Sequence, residues 1–214
     1  AGVCHIDCEN FTDEEAHTII NKCEEKKIFI SALGFYANLM DENLEKRKEN
    51  IQHFMKVIDV SAKLNINMVT GFLGRMQHKT LEENLKAVKE IWTPIIHYAE
   101  SKKVRIAIEN CPMLFTQDEW PGGQNMMTSH VIWRKTFEIL DSPMLGINYD
   151  PSHFIWQKMD YIKPLYEFKD KIFHVHFKDI KIYEDKLKEV GVMAYPLDYM
   201  TPKIPGLGDV NWAK

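Results

Sequence analysis

Cysteine is scarce and badly placed for cross-linking. Four residues, Cys4, Cys8, Cys23 and Cys111, form no C-x-x-C pair and fall far below the density of a disulfide scaffold, so reduced and mostly buried thiols are expected. No apolar run is long enough to span a bilayer and no signal peptide opens the chain, which excludes a membrane partner and points to a cytoplasmic location. Positive charge is also short. Lys and Arg number 27 against 31 Asp and Glu, a formal net charge of −4, whereas a dedicated nucleic-acid binder draws on a concentrated basic face to displace counterions. There is no low-complexity linker, and no G-x-G-x-x-G follows the first apolar run, which weakens a dinucleotide-binding reading. What is present is an ordinary globular composition, 45% apolar and 27% charged over 214 residues, enough for a substantial core and suited to small-molecule chemistry.

Short runs rich in Val and Ile alternate with long amphipathic stretches. The strand candidates are GVCHID (2–7), IFISALGF (28–35), NMVTGF (67–72), VRIAIEN (104–110), LGINYD (145–150) and KIFHVHF (171–177), each ending in polar or glycine-bearing sequence. Between them, Leu44, Ile51, Phe54, Met55, Ile58 and Ala62 keep helical spacing, as do Leu81, Leu85, Val88, Ile91, Ile95 and Tyr98. Thr12 with Glu15 three residues on is a capping-box pattern, and SHVIWRKTFEIL (129–140) is a further helix. Six strands separated by helices imply parallel pairing, because each return needs a crossover. The strand-to-strand intervals scatter around the roughly 31 residues per unit of an eight-unit barrel of about 250 residues. The expected fold is therefore α/β, a (β/α)8 TIM barrel formed as a single domain over 1–214. It is expected to be truncated at both ends, with about six of eight strands present and exposed strand edges that would impair solubility.

Barrel chemistry sits at the C-terminal ends of the strands. Glu109 closes RIAIEN, Asp150 closes GINYD, and His176 lies near the end of HVHF. A carboxylate ending a β-branched run needs a partner, and a cation shared by several such groups supplies one. Glu, Asp and His make a mixed oxygen and nitrogen set suited to Mn²⁺, Mg²⁺, Co²⁺ or Zn²⁺. Plainer readings stand beside this one. Glu109 pairs with a basic neighbour, Asp150-Pro-Ser opens a turn or caps a helix, and His153 lies on the surface. His174 shares a strand face with His176 and reads as a packed or supporting histidine one layer deeper.

AIEN, GINYDPSHFIWQKMD, HVHFKD and PGLGDVNW, in this order and at these separations, resemble the sugar phosphate isomerase/epimerase superfamily, the xylose-isomerase-like TIM barrels related to the endonuclease IV fold. The resemblance runs over nearly the whole chain. It implies one divalent metal, Mn²⁺ first among the candidates, held by Glu109, Asp150 and His176, with a fourth ligand, a Glu on the eighth strand, beyond the 214 residues. It implies that the chain alone is inactive for want of that ligand. It also puts His153 against substrate. Asp7, Arg75 and Lys178 are further substrate candidates, and for Lys178 and Asp179 a solvated surface position is an equal reading.

The function these residues imply is isomerisation or epimerisation of a sugar or sugar phosphate by proton abstraction next to a carbonyl, through a metal-stabilised enediolate. Glu109 is the expected base and His153 the group orienting a substrate oxygen. The first rival is a dehydratase of the same fold, of inosose or dehydroshikimate type. The second is a DNA-repair endonuclease with a three-zinc cluster, disfavoured because no histidine follows His176 and the chain is acidic. The expected partner is a small sugar or sugar phosphate, with self-association left open. The stretch 113–130, rich in Met, Trp and Gly, reads as a long substrate-covering loop.

Overall fold

The computed structural model describes residues 5–114 and 123–214. Helix α1 (Asp13–Lys26) opens on the Thr12–Glu15 capping box and closes on Lys27 in the left-handed region. Strand β1 (Leu33–Phe35) is followed by α2 (Leu44–Lys63), β2 (Met68–Gly71), α3 (Leu81–Lys102), β3 (Arg105–Glu109), α4 (His130–Ile139) and β4 (Leu145–Tyr149). Two short helices, α5 (Ser152–Trp156) and α6 (Lys163–Glu167), precede β5 (Ile172–Val175), and the chain continues through β6 (Asp179–Ile182), α7 (Glu184–Val190) and β7 (Met200–Lys203).

Strands β1 to β5 form one sheet in consecutive order, every pair parallel. A doubly wound sheet reverses its order at a switch point; an unbroken sequence of right-handed crossovers instead builds an arc of a barrel. Alternation along the strands separates two faces. Val69, Ile106, Ile108, Leu145 and Ile147 join Phe54, Ile58, Trp92, Ile95 and Trp133 in the main core under the helices. The intervening Thr70, Glu109 and Asn148 face the other side, which is the polar interior. The arc is curled enough for inward side chains of its first and last members to touch: Ser31 Oγ lies 3.1 Å from His174 Nε2 and the Tyr36 hydroxyl 3.4 Å from His176 Nε2.

Two expectations need correction. Among the described residues five parallel strands pair, and His5 to Asp7, the described part of the 2–7 candidate, are bends and coil. The Asp7 carboxylate turns back to accept from the Glu9 N–H and the Asn10 amide, an Asx-type turn that competes with extended pairing. In the 28–35 candidate only the last three residues pair, and Phe29 is 85% exposed. An unexpected antiparallel hairpin, β6 with β7, covers a second small core of Trp156, Ile180, Ile182, Leu187 and Tyr199.

The pairing of β4 with β5 slips by one residue. Ile147 opposes Ile172 but Asn148 opposes His174, leaving Phe173 unpaired. Because a one-residue shift exchanges the faces of a strand, this slip is what brings His174 and His176 onto the inner face with Asn148. Gly146 makes room for it. A Cβ there would collide with the Lys171 carbonyl and the Phe173 ring. Gly146→Ala is therefore expected to lower stability by about 1–3 kcal/mol, the usual cost of overpacking, read as a lower urea midpoint at unchanged slope.

Candidate metal centre

Glu109 ends β3 and Asp150 follows β4, on neighbouring strands in register. Two asparagines clamp their backbones beyond the ladder. Asn110 accepts from the Asp150 N–H (2.7 Å) and donates to its carbonyl (2.9 Å), and Asn125 donates to the carbonyls of Glu109 and Cys111 at 2.8 and 2.7 Å. The Asp150 side chain is then fixed by Ser152, whose N–H and hydroxyl both donate to Oδ1 at 2.9 and 2.6 Å. That leaves Oδ2 buried with no hydrogen-bond partner.

His153, carried on α5 and buried, turns Nε2 toward both acids, 3.3 Å from Asp150 Oδ2 and 3.6 Å from Glu109 Oε1. The ligand atoms of Glu109, Asp150 and His153 all lie within 4.8 Å of one another. His176 joins from β5, its Nδ1 3.1 Å from Glu109 Oε1. Lys178 Nζ lies 3.4 Å from His153 Nε2 and 3.8 Å from Asp150 Oδ2.

The charges of the site are mutually compensated. Burial pushes the Glu109 carboxyl up, but its contacts with His153 and His176 outweigh this and bring it down to about 2. Asp150 is held low in the same way, burial being overcome by His153, Lys178 and Ser152. Burial opposes charge on His153, yet Cys111, Asp150 and Glu109 raise it well above an ordinary imidazole. Two ionised, nearly inaccessible carboxylates with one orphaned oxygen, and imidazoles on two sides, fit a divalent ion of oxygen and nitrogen preference.

The structure thus brings together Glu109, Asp150, His153, His176 and Lys178. His153 is buried, not superficial, and its Nε2 completes the tightest triad. Of the other substrate candidates, Asp7 is exposed and tied to Glu9 and Asn10, and half-buried Arg75 exchanges backbone hydrogen bonds with the Asn38 side chain. Asp179 is fully buried, which removes the solvated reading. Cys8, Cys23 and Cys111 are half-buried, less covered than expected. Of the 113–130 stretch, residues 115–122 lie outside the described residues, while Asn125, Met126 and Met127 are buried. Sequence reasoning missed Asn148, Asn110, Asn125 and Tyr36. Period two counted back from Asp150 points at Asn148, whereas Asn125 and Asn110 carry no such signal.

Similarity to known proteins agrees with this fold. The chain is similar in structure to a xylose isomerase domain protein from Planctomyces limnophilus, at TM-score 0.67 and 16% identity over 94% of this chain and 68% of that one. It is similar to a D-tagatose 3-epimerase-like protein at TM-score 0.67 and 17% identity, over 94% and 69%. A third likeness is the probable 3-DHS dehydratase AsbF of Bacillus anthracis, at TM-score 0.61 and 16% identity, over 78% and 57%. The chain therefore spans between 57% and 69% of the length of these three, and at such identities they share its fold. No described helix is long and apolar enough to cross a membrane. The xylose isomerase-like TIM barrel family matches residues 6–214, and the chain belongs to that family.

Proposed function

We propose that this chain carries the centre of a divalent-metal-dependent isomerase or epimerase acting on a sugar or sugar phosphate. The observation that carries the reading is the pair of buried strand-end carboxylates, Asp150 with an Oδ2 that accepts no hydrogen bond and lies 3.3 Å from His153, and Glu109 with His176 at 3.1 Å. Glu109, Asp150 and His176 would hold the ion, with Mn²⁺ ahead of Mg²⁺, Co²⁺ or Zn²⁺ on donor type. His176 is preferred to His153 as the ligand because its far nitrogen lies 3.0 Å from the Asn148 amide, whose oxygen, turned toward it, would accept the N–H that metal-binding imidazoles characteristically donate, whereas His153 Nε2 also faces the Lys178 ammonium. When bound, the ion supplies Lewis-acid polarisation of a carbonyl and its neighbouring hydroxyl.

The remaining work falls to the chain's own groups. Glu109, ionised above pH about 2, receives the proton from the carbon beside the carbonyl. His153 and Lys178 bracket the substrate oxygens and fix which face of that carbon Glu109 meets. The absence of a disulfide among the described residues suits a reducing, cytoplasmic setting.

Dehydration is the second reading, favoured by one observation: the buried His153 ring stands 3.3 and 3.6 Å from the two carboxylates, which favour its protonated form and so an acid for a departing hydroxyl. Incubation with Mn²⁺ and a panel of keto sugars and their phosphates in deuterated water separates the two. Isomerisation or epimerisation places deuterium next to the carbonyl of a product of unchanged composition, whereas dehydration yields an unsaturated product lacking one water. Glu109→Gln is expected to slow either reaction by at least about 10²-fold, the low end for a positioned acid or base. Unchanged turnover in that variant would sink the proposed role.

A further inference from the structure

Behind His176, a run of hydrogen bonds leads through the polar interior, with the Tyr36 hydroxyl beside its first link, 3.5 Å from Asn148 Nδ2. His176 Nε2 lies 3.0 Å from Asn148 Nδ2, Asn148 Oδ1 lies 3.0 Å from His174 Nδ1, and His174 Nε2 lies 3.1 Å from Ser31 Oγ. Ser31 and His174 then form part of the wall of a cavity of about 470 Å³.

A primary amide has one face that accepts and one that donates. Whichever way Asn148 is turned, one of the two rings must offer it an N–H and the other a lone pair. Since His174 faces the amide through Nδ1 and His176 through Nε2, both neutral rings must carry the same tautomer, either both Nδ1–H or both Nε2–H. Without a cation the choice is made at Glu109: its ionised carboxylate only accepts, so the facing His176 Nδ1 bears the proton. Nε2 is then a lone pair that takes the Asn148 N–H, His174 is Nδ1–H, and Ser31 donates to its Nε2.

We propose that Asn148 is a positioning residue that couples the tautomers of His174 and His176, so that seating a divalent cation on His176 Nδ1 reverses the whole run as far as Ser31. This rests on the reading that His176 is a ligand. With Nδ1 occupied, His176 must be Nε2–H, the Asn148 amide turns its oxygen toward it, and the amide nitrogen donates to His174 Nδ1. His174 becomes Nε2–H and donates to Ser31 Oγ. Each ring loses one N–H proton and gains another, with no net uptake, and the exchange at His174 Nε2 takes place on the cavity wall. The Tyr36 hydroxyl, 3.4 Å from His176 Nε2 and bonded to Thr70 at 2.9 Å, both donates and accepts and so imposes no tautomer of its own.

The test is a two-bond ¹H–¹⁵N correlation spectrum of histidine-labelled protein at pH 8, without and with saturating Zn²⁺, a diamagnetic probe, alongside thermal melts. His174 signals are assigned by comparison with His174→Gln. The expected result is that Zn²⁺ raises the melting temperature and shifts both His176 and His174 from the Nδ1–H to the Nε2–H pattern. In Asn148→Asp, whose carboxylate accepts from both rings, His174 keeps its Nδ1–H pattern with Zn²⁺ bound. If Zn²⁺ raises the melting temperature and changes His176 while wild-type His174 stays Nδ1–H, Tyr36 has taken the proton and the coupling is overturned, with the ligand reading intact. A shift confined to His153 overturns the coupling by seating the ion on that ring instead. No thermal rise and no spectral change overturns both.

Discussion

Asp150→Asn is expected to abolish the rise in melting temperature that Mn²⁺ gives the unmodified chain. The substitution is nearly isosteric and keeps the oxygen that accepts from the Ser152 N–H and hydroxyl, so the local turn survives. It removes the charge on a buried carboxylate oxygen that, among the described residues, accepts no hydrogen bond. An ion bound at one hundred times its dissociation constant stabilises the native state by about 2.7 kcal/mol, which for a domain near this size moves the midpoint by about 5–10 °C. Loss of a supporting group around a metal weakens binding about 10–100-fold, and loss of a charged ligand should exceed that. A 100-fold weakening already reduces the stabilisation to about 0.4 kcal/mol at the same Mn²⁺ concentration. A variant that still rises as far as the parent in a calorimetric scan would remove Asp150 from the centre.

The largest effect on stability itself is expected from Asp179→Asn. The Asp179 carboxylate is fully buried and takes five N–H donors: Ile180 and Val210 on Oδ1 at 2.8 and 3.0 Å, and Gly206, Gly208 and the Trp212 indole on Oδ2 at 3.0, 3.1 and 3.1 Å. Four of the five come from residues 206–212, so one side chain ties that segment to the hairpin, and Trp212 in turn stacks on Phe177 at 5.5 Å. Gly208 has no alternative, because a Cβ there would strike Asp179 and the Ile180 carbonyl. An amide retains one acceptor and turns an NH₂ toward donors. Stranding buried N–H groups and losing charged hydrogen bonds should together cost about 3 kcal/mol or more. Urea unfolding measures the loss, and hydrogen exchange should show it concentrated at 206–212; uniform protection would contradict the account.

The same residue predicts a pH dependence. Burial raises the Asp179 carboxyl, but the N–H donors, Val210 first, more than offset it and leave it below the ordinary aspartate value. A carboxyl whose folded value is depressed adds stability that is fully present above its unfolded value of about 3.9. That stability disappears as pH falls through the lower folded value. Unmodified protein should therefore lose part of its stability below about pH 4, and Asp179→Asn should lack that part of the acid sensitivity.

The sequence exposes what depends on period and on strand ends. Apolar runs at barrel intervals place β1 to β5, helical spacing places α2 and α3, and acidic residues terminating such runs single out Glu109 and Asp150. What stays hidden depends on partners far apart in the chain. The hairpin was missed because Asp179–Ile182 pairs with Met200–Lys203 across an intervening helix, with no tight-turn dipeptide between them to announce it. Asp179 looked like a surface residue because its donors arrive from 206–212, which nothing local reveals. Asn110 and Asn125 act through their side chains on backbone carbonyls and amides, a use that the residue type alone does not disclose. The resemblance sets His153 against substrate, but its burial stays hidden because its neighbours in sequence are a turn, whereas its neighbours in space are Glu109 and Cys111.

The unpaired residue at position 173 shows where information about the interior is stored. The orientation of both imidazoles depends on how many peptide units separate Ile172 from His174, and only weakly on which side chain occupies the place between. Evolution can exchange Phe173 for another residue that fits beside Gly146 and leave the geometry untouched. Adding or deleting a single codon there would instead rotate the histidines out of the lumen together, so at this point the gene encodes function as a length.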